Sequence, residues 1–229
     1  MIFSMLASRK VHSAFKKYDR VRALSGLTGR DTVVRLLQAN GVYDISVGCV
    51  SGTLSDHYSP KQGVVNLSDS TYRSNSVAAI AVAAHEVGHV MQKKRGYPMY
   101  LVRTALVPVV NFGARFSMLL VIGGILLDSL VQLSVPNLGF YIAMIGVILY
   151  GGSFLFALVT LPVELNASRR ATSMLLSAGI IQRSELRAAR SVLSAAALTY
   201  LASLLTSLVY FLRFLFYVLT IFGRRDNHR

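Results

Sequence analysis

His85, Glu86 and His89 carry the most specific chemistry in this chain. In His85-Glu86-Val87-Gly88-His89 two imidazoles stand four residues apart. On a helix both point the same way, so both can bind one zinc ion. The carboxylate beside the first imidazole can then accept a proton from the attacking water. The chain has 5 histidines in 229 residues, and its glutamates are Glu86, Glu164 and Glu185. Random placement of these gives roughly 0.001 matches to His-Glu-x-x-His, so chance does not account for the pattern. The plainer reading is a buried helix with hydrogen-bonded histidines. Three polar groups on adjacent turns of an apolar helix are expensive to bury without a metal to satisfy them. The pattern therefore implies hydrolysis of peptide bonds, with Glu86 as general base and His85 and His89 as zinc ligands.

The element that must hold these residues is legible. Residues 74–95 read as one helix rich in alanine and valine. Ser74, Asn75 or Ser76 can cap its start, and Gly96-Tyr97-Pro98 supplies the stop. Gly88 sits in mid-helix, where glycine costs about 1 kcal/mol relative to alanine. That cost predicts the close approach of another backbone. A catalytic zinc takes three protein ligands and leaves a fourth position open. His12, His57, His228 and the carboxylates are candidates for the third. Glu164 stands out because it follows Pro162 at the end of an apolar stretch, and so lies near the same membrane face as the metal helix. From Glu164 to Ala171 the sequence reads as the start of a second helix. A glutamate placed there only to meet a helix macrodipole is equally compatible with the spacing.

Composition says where this chemistry takes place. Apolar residues make up 53% and charged residues 15%, against about 25% charged in soluble domains. Mean hydropathy is +0.51. The chain is expected to be embedded in a membrane. Cys49 is the single cysteine, which excludes an intramolecular disulfide and a cysteine-based zinc site. The net charge is +14. No nucleic-acid-binding motif or aromatic–basic platform accompanies it, so no nucleic-acid partner is expected. Lys and Arg collecting on the cytoplasmic side of a membrane and near anionic headgroups explain the charge more simply.

Four regions follow. Residues 1–116 hold a basic N-terminal segment and a mixed α/β part that contains the metal helix. Thr28 with Asp31 resembles a capping box, and Val33, Val34, Leu36 and Leu37 form a helix stripe ended by Asn40-Gly41. Short strand-like runs cover 45–50, 53–58 and 64–67, with residues 59–63 as a turn. Residues 99–116 read as helix with a kink at Pro108. Residues 117–161 read as a transmembrane hairpin, with apolar stretches over 116–135 and 138–161 around a turn at Pro136-Asn137. Asp128 interrupts the first stretch, which places it at the interface or against protein. Residues 162–194 form a cytosolic helical segment carrying Glu164. Residues 195–229 add a third span over 195–222 and a basic tail. Each stretch is long enough to cross roughly 30 Å of hydrocarbon. Arginines in 162–194 and the basic residues of 1–115 put both regions in the cytoplasm. A single third crossing leaves Arg224, Arg225 and Arg229 outside, against that rule.

The chain resembles the YugP-type neutral zinc metallopeptidases of bacterial membranes, and more distantly the HtpX heat-shock protease and the CAAX prenyl proteases. The resemblance rests on residues 25–29, Asp56-His57-Tyr58, the run 78–89, residues 105–108, and Leu161-Pro162-Val163-Glu164 through Ala171. It implies an α+β, mainly helical protein: a zincin-like domain with a small β-sheet joined to a transmembrane helix bundle. It also implies Glu164 as third ligand, one catalytic Zn2+, a peptide or protein substrate such as a membrane protein, and a multi-pass place in the bacterial inner membrane with the site on the cytoplasmic side. Two departures stand out. Ser59 takes a place where aspartate is common in the family. Ser168 takes one where HtpX-like relatives carry aspartate, which implies different support for the ligands.

Other function classes fit less well. In an intramembrane site-2-type protease the motif lies within a span and pairs with a distal aspartate. Here Lys93, Lys94 and Arg95 follow closely, and no Asp-Gly partner occurs. A non-catalytic membrane scaffold with a retained metal site would not need the intact base. A transporter would call for charged pairs at mid-membrane.

Overall fold

The computed structural model describes residues 2–130 and 137–226. In chain order the elements are α1 (Ile2–Asp19), α2 (Gly29–Ala39), β1 (Ser46–Val50), β2 (His57–Ser59), β3 (Val64–Ser68), α3 (Asp69–Tyr72), α4 (Val77–Lys94), α5 (Pro98–Leu130), α6 (Leu138–Ser177) and α7 (Leu186–Asp226). The protein is mainly helical with one small sheet, as expected. The chain divides into two compact units, Met1–Tyr100 with Pro162–Leu201, and Leu101–Leu161 with Ala202–Arg229.

In the first unit, helix α2 starts where the sequence says it must. Thr28 Oγ1 accepts from the Asp31 amide at 3.1 Å, and the Asp31 carboxylate accepts from the Thr28 amide at 3.2 Å. Each side chain thus satisfies a backbone donor that the first helical turn leaves orphaned. The Thr28 hydrogen bond, stronger than the opposing effect of burial, holds the Asp31 carboxyl below its usual range. The sheet has the order β1-β3-β2. Strand β3 pairs parallel to β1, Ser46 opposite Val64, and antiparallel to β2, Ser59 opposite Val64. Strand β2 is shorter than the run 53–58 suggests. Gly52 (φ +111°) and Leu54 (φ 57°) adopt left-handed backbone that a strand cannot use.

The core of this unit is one apolar cluster. It includes Val33 and Leu36 of α2, Val65 and Leu67 of β3, Ile80 and Val87 of α4, and Leu175 of α6. Helix α4 is buried along most of its length from Val77 to Gln92. Small side chains make that possible, because Ala78, Ala79, Ala81, Ala83 and Ala84 let neighbours pack on several sides. Ser76 is the N-cap, accepting from the Ala79 amide at 3.1 Å. Its own hydroxyl donates to Asp19 at 2.9 Å.

The second unit is helical. Close approaches occur at small residues: a Cβ on Gly146 would meet the Ser117 carbonyl oxygen at 2.6 Å, and one on Gly113 the Leu149 carbonyl oxygen at 2.7 Å. Backbones that come this near suit helices packed in lipid. Among the described residues three helices are long and apolar enough to cross a membrane: Pro98–Asp128, Leu138–Ser177 and Leu186–Gly223, with mean hydropathy of 1.8, 2.3 and 1.9. Large apolar side chains such as Phe112, Leu119, Ile148 and Phe216 stand exposed on them.

These helices differ from the sequence expectation in continuity. Helix α5 runs from Pro98 to Leu130 without a break, with Pro108 inside it. Asp128 falls at the end of the first apolar helix. Glu164 does not begin a new helix. Helix α6 passes straight through Pro162. An interior proline removes one backbone hydrogen bond, which a helix of 40 residues absorbs. The arginine-bearing segment after it is likewise the end of α6 and the beginning of α7, joined by residues 178–185. Pro136 of the expected turn lies outside the described residues. Asn137 has φ 60°, and its carbonyl accepts from the Tyr141 amide at 3.1 Å as α6 begins.

Candidate metal centre

Helix periodicity places four residues of α4 on one face: His85, Gly88, His89 and Gln92. Helix α6 presents Glu164, Ala167, Ser168 and Ala171 at the same spacing. The two faces meet. A Cβ on Gly88 would lie 2.6 Å from the Ala167 carbonyl oxygen and 3.1 Å from its Cα. This is the backbone approach that the mid-helix glycine predicts. It brings Glu164, one turn before Ala167, alongside the two histidines.

The ligand atoms of His85, His89 and Glu164 all lie within 4.8 Å of one another. Nε2 of His85 is 3.0 Å from Glu164 Oε2, and Nε2 of His89 is 3.4 Å from the same oxygen. The two rings stand nearly perpendicular, at 89°, with centroids 4.8 Å apart. Two imidazole nitrogens and a carboxylate oxygen are the donor types that zinc prefers. The carboxylate is fully buried and the histidines nearly so. A buried negative group of this kind needs positive charge beside it. Burial disfavours the charged form of His89. The hydrogen bond and charge of Glu164 outweigh this and raise the imidazole above its ordinary pKa.

Each imidazole is held at its other nitrogen. His85 Nδ1 is 3.2 Å from Ser168 Oγ, and His89 Nδ1 is 3.0 Å from Gln92 Oε1. Such contacts fix ring orientation and tune ligand basicity. Glu86 differs from Glu164. It is buried on α4, and among the described residues no hydrogen bond from the protein reaches its carboxylate. The Tyr100 ring packs beside His89, with centroids 6.4 Å apart.

The other candidates do not join this cluster. His12 is exposed on α1. Both ring nitrogens of His57 are engaged elsewhere, with Ser55 O at 2.9 Å and Asn66 Nδ2 at 3.1 Å. Tyr58 is half-buried against the core. His228 lies outside the described residues. The sequence reading did not single out Gln92. Its one signal is position: an amide three residues after His89, on the ligand face of the helix.

The family described as "Putative neutral zinc metallopeptidase" matches residues 1–219. The chain belongs to that family. The chain is also similar to "Putative membrane protease YugP" of Bacillus subtilis (strain 168), 45% identical over 224 residues, which cover 98% of this chain and 94% of that relative. No solved structure matches the chain with comparable significance. The zinc metallopeptidase family, the small sheet and the three apolar helices agree with the fold class that the sequence implies.

Proposed function

We propose that this protein is a membrane-bound zinc endopeptidase in which His85, His89 and Glu164 hold one Zn2+ and Glu86 is the general base. One observation carries the reading. Two imidazoles and a carboxylate that is 79 positions away in sequence converge within 4.8 Å. Zinc in such a site lowers the pKa of water and polarises the scissile carbonyl. Glu86, next to a proposed ligand and with no hydrogen bond to its carboxylate among the described residues, accepts the proton of the attacking water and passes it to the leaving amine. Ser168 and Gln92 hold the imidazoles in place while this happens.

The three apolar helices support a multi-pass protein of the bacterial plasma membrane. The basic residues beside the site support a cytoplasmic active centre. The relative's name supports a protease at a membrane, and the likeness to the HtpX heat-shock protease is what supports membrane proteins as substrates, with quality control as the setting. The site-2-type alternative has less support, because α4 is not one of the three apolar helices. A scaffold role leaves the buried carboxylate of Glu86, next to His85, without purpose.

The decisive experiment measures zinc content and casein cleavage for wild type, His85→Ala and Glu86→Gln in detergent. Wild type is expected to hold one zinc and cleave. His85→Ala should lose both properties. Glu86→Gln should keep zinc while its rate falls about 100- to 10,000-fold. Full cleavage by Glu86→Gln would remove Glu86 from the reaction.

A further inference from the structure

Gln92 is fully buried on α4, and its side chain leaves no polar atom idle. Nε2 donates to the Val163 carbonyl at 2.7 Å and to Asn166 Oδ1 at 3.1 Å. Oε1 faces His89 Nδ1 at 3.0 Å.

These partners allow the amide one orientation. A main-chain carbonyl only accepts, so the group facing Val163 must be the NH2. Asn166 is oriented by the same logic. Arg170 Nε, 2.7 Å away, only donates, so the atom it meets is Oδ1. Turned over, Gln92 would set its oxygen against two other oxygens where solvent does not reach. Its oxygen therefore faces His89. An amide oxygen accepts and cannot donate, so His89 Nδ1 must carry a hydrogen. A neutral imidazole has a single N–H. The lone pair is then on Nε2, the atom turned towards Glu164. His85 has no equivalent constraint, because the Ser168 hydroxyl can either donate or accept.

We propose that Gln92, locked by Val163, Asn166 and Arg170, is the positioning residue that holds the His89 proton on Nδ1 and turns Nε2 to the metal. This rests on the reading of His85, His89 and Glu164 as zinc ligands. The chain of contacts runs from His89 and Gln92 on α4 across to Val163, Asn166 and Arg170 on α6. It ties the protonation pattern of one ligand to an arginine that touches none of them.

The test uses the full chain in detergent with zinc as the only probe. Zinc affinity is measured by competition with a chromophoric chelator, alongside thermal unfolding to establish the folded fraction. Gln92→Leu removes the acceptor and is expected to weaken zinc binding about 10- to 100-fold in folded protein. Gln92→Met keeps the length and volume without an acceptor and should weaken zinc binding as Gln92→Leu does, whereas a packing role would be restored by it. Asn166→Ala lies on the partly exposed side of the network, should fold even where Gln92→Leu does not, and should weaken zinc binding less. In zinc-loaded protein with 15N-labelled histidine, His89 should show a hydrogen on Nδ1 and coordination through Nε2. Coordination through Nδ1, or wild-type affinity in both Gln92→Leu and Asn166→Ala, would overturn the inference. A wild-type chain that holds no zinc overturns this inference together with the reading it rests on.

Discussion

A Cβ added to Gly88 would sit 2.6 Å from the carbonyl oxygen of Ala167. Both sides of this contact are main chain, so no side chain can swing away to relieve it. The ligand faces of α4 and α6 touch because position 88 has no side chain. Gly88→Ala is therefore expected to cost about 1–3 kcal/mol in stability, as overpacking does, and to weaken zinc binding by moving Glu164 from the histidines. Thermal unfolding and chelator competition on the same sample check both effects. Wild-type values in the variant would mean that the helices are further apart.

Glu164→Gln keeps the shape of the third ligand and removes its charge. Zinc affinity should fall by more than about 100-fold, beyond what losing an outer partner of a ligand does. Far-ultraviolet circular dichroism should show unchanged helix content. Unaltered affinity would assign the third position to another residue.

Acid should release the metal. His89 must be neutral to bind zinc, and its pKa is raised because Glu164 outweighs the effect of burial. A raised pKa means that protons compete at a higher pH than they would at an ordinary histidine. Zinc affinity is thus expected to be highest above that raised pKa and to fall as pH drops through it. Titrations across that pKa, with proton release followed in weakly buffered solution, would show it. A flat profile would contradict the assignment of His89.

Caps separate stability from metal binding. Thr28→Ala and Ser76→Ala each remove an N-cap and should each cost about 1 kcal/mol in unfolding free energy. Thr28 caps α2, so zinc affinity should stay unchanged in its variant. Ser76 starts the helix that bears both histidines and also holds Asp19 at 2.9 Å, so its loss should weaken both properties.

Much of this centre was legible in the sequence because its signals are local. The two histidines share a helix face by spacing alone, Ser76 is a cap by its chemistry, and Gly88 announces a close neighbour by its mid-helix position. The run of α6 through Pro162 was not legible. A proline after an apolar stretch reads as a boundary, and only the long helix on both sides carries the backbone past it. Strand β2 was overestimated at its start because the left-handed backbone at Leu54 has no mark in residue type. Gln92 could not be recognised from its surroundings in sequence, since the groups that orient it lie 71 and 74 positions away.

The loop before α2 has a bearing on the order in which the molecule can be assembled. The Val77 amide donates to Val21 O and the Ala23 amide to Asn75 O, each at 2.9 Å. The neighbouring Leu24 amide donates to Glu185, 161 positions later, at 2.9 Å. The front end of the motif helix is thus buttoned by a collar whose last fastening waits for Glu185. A nascent chain that has not yet delivered Glu185 holds its histidines on a helix with an unfinished collar, so the collar closes only once synthesis has passed residue 185.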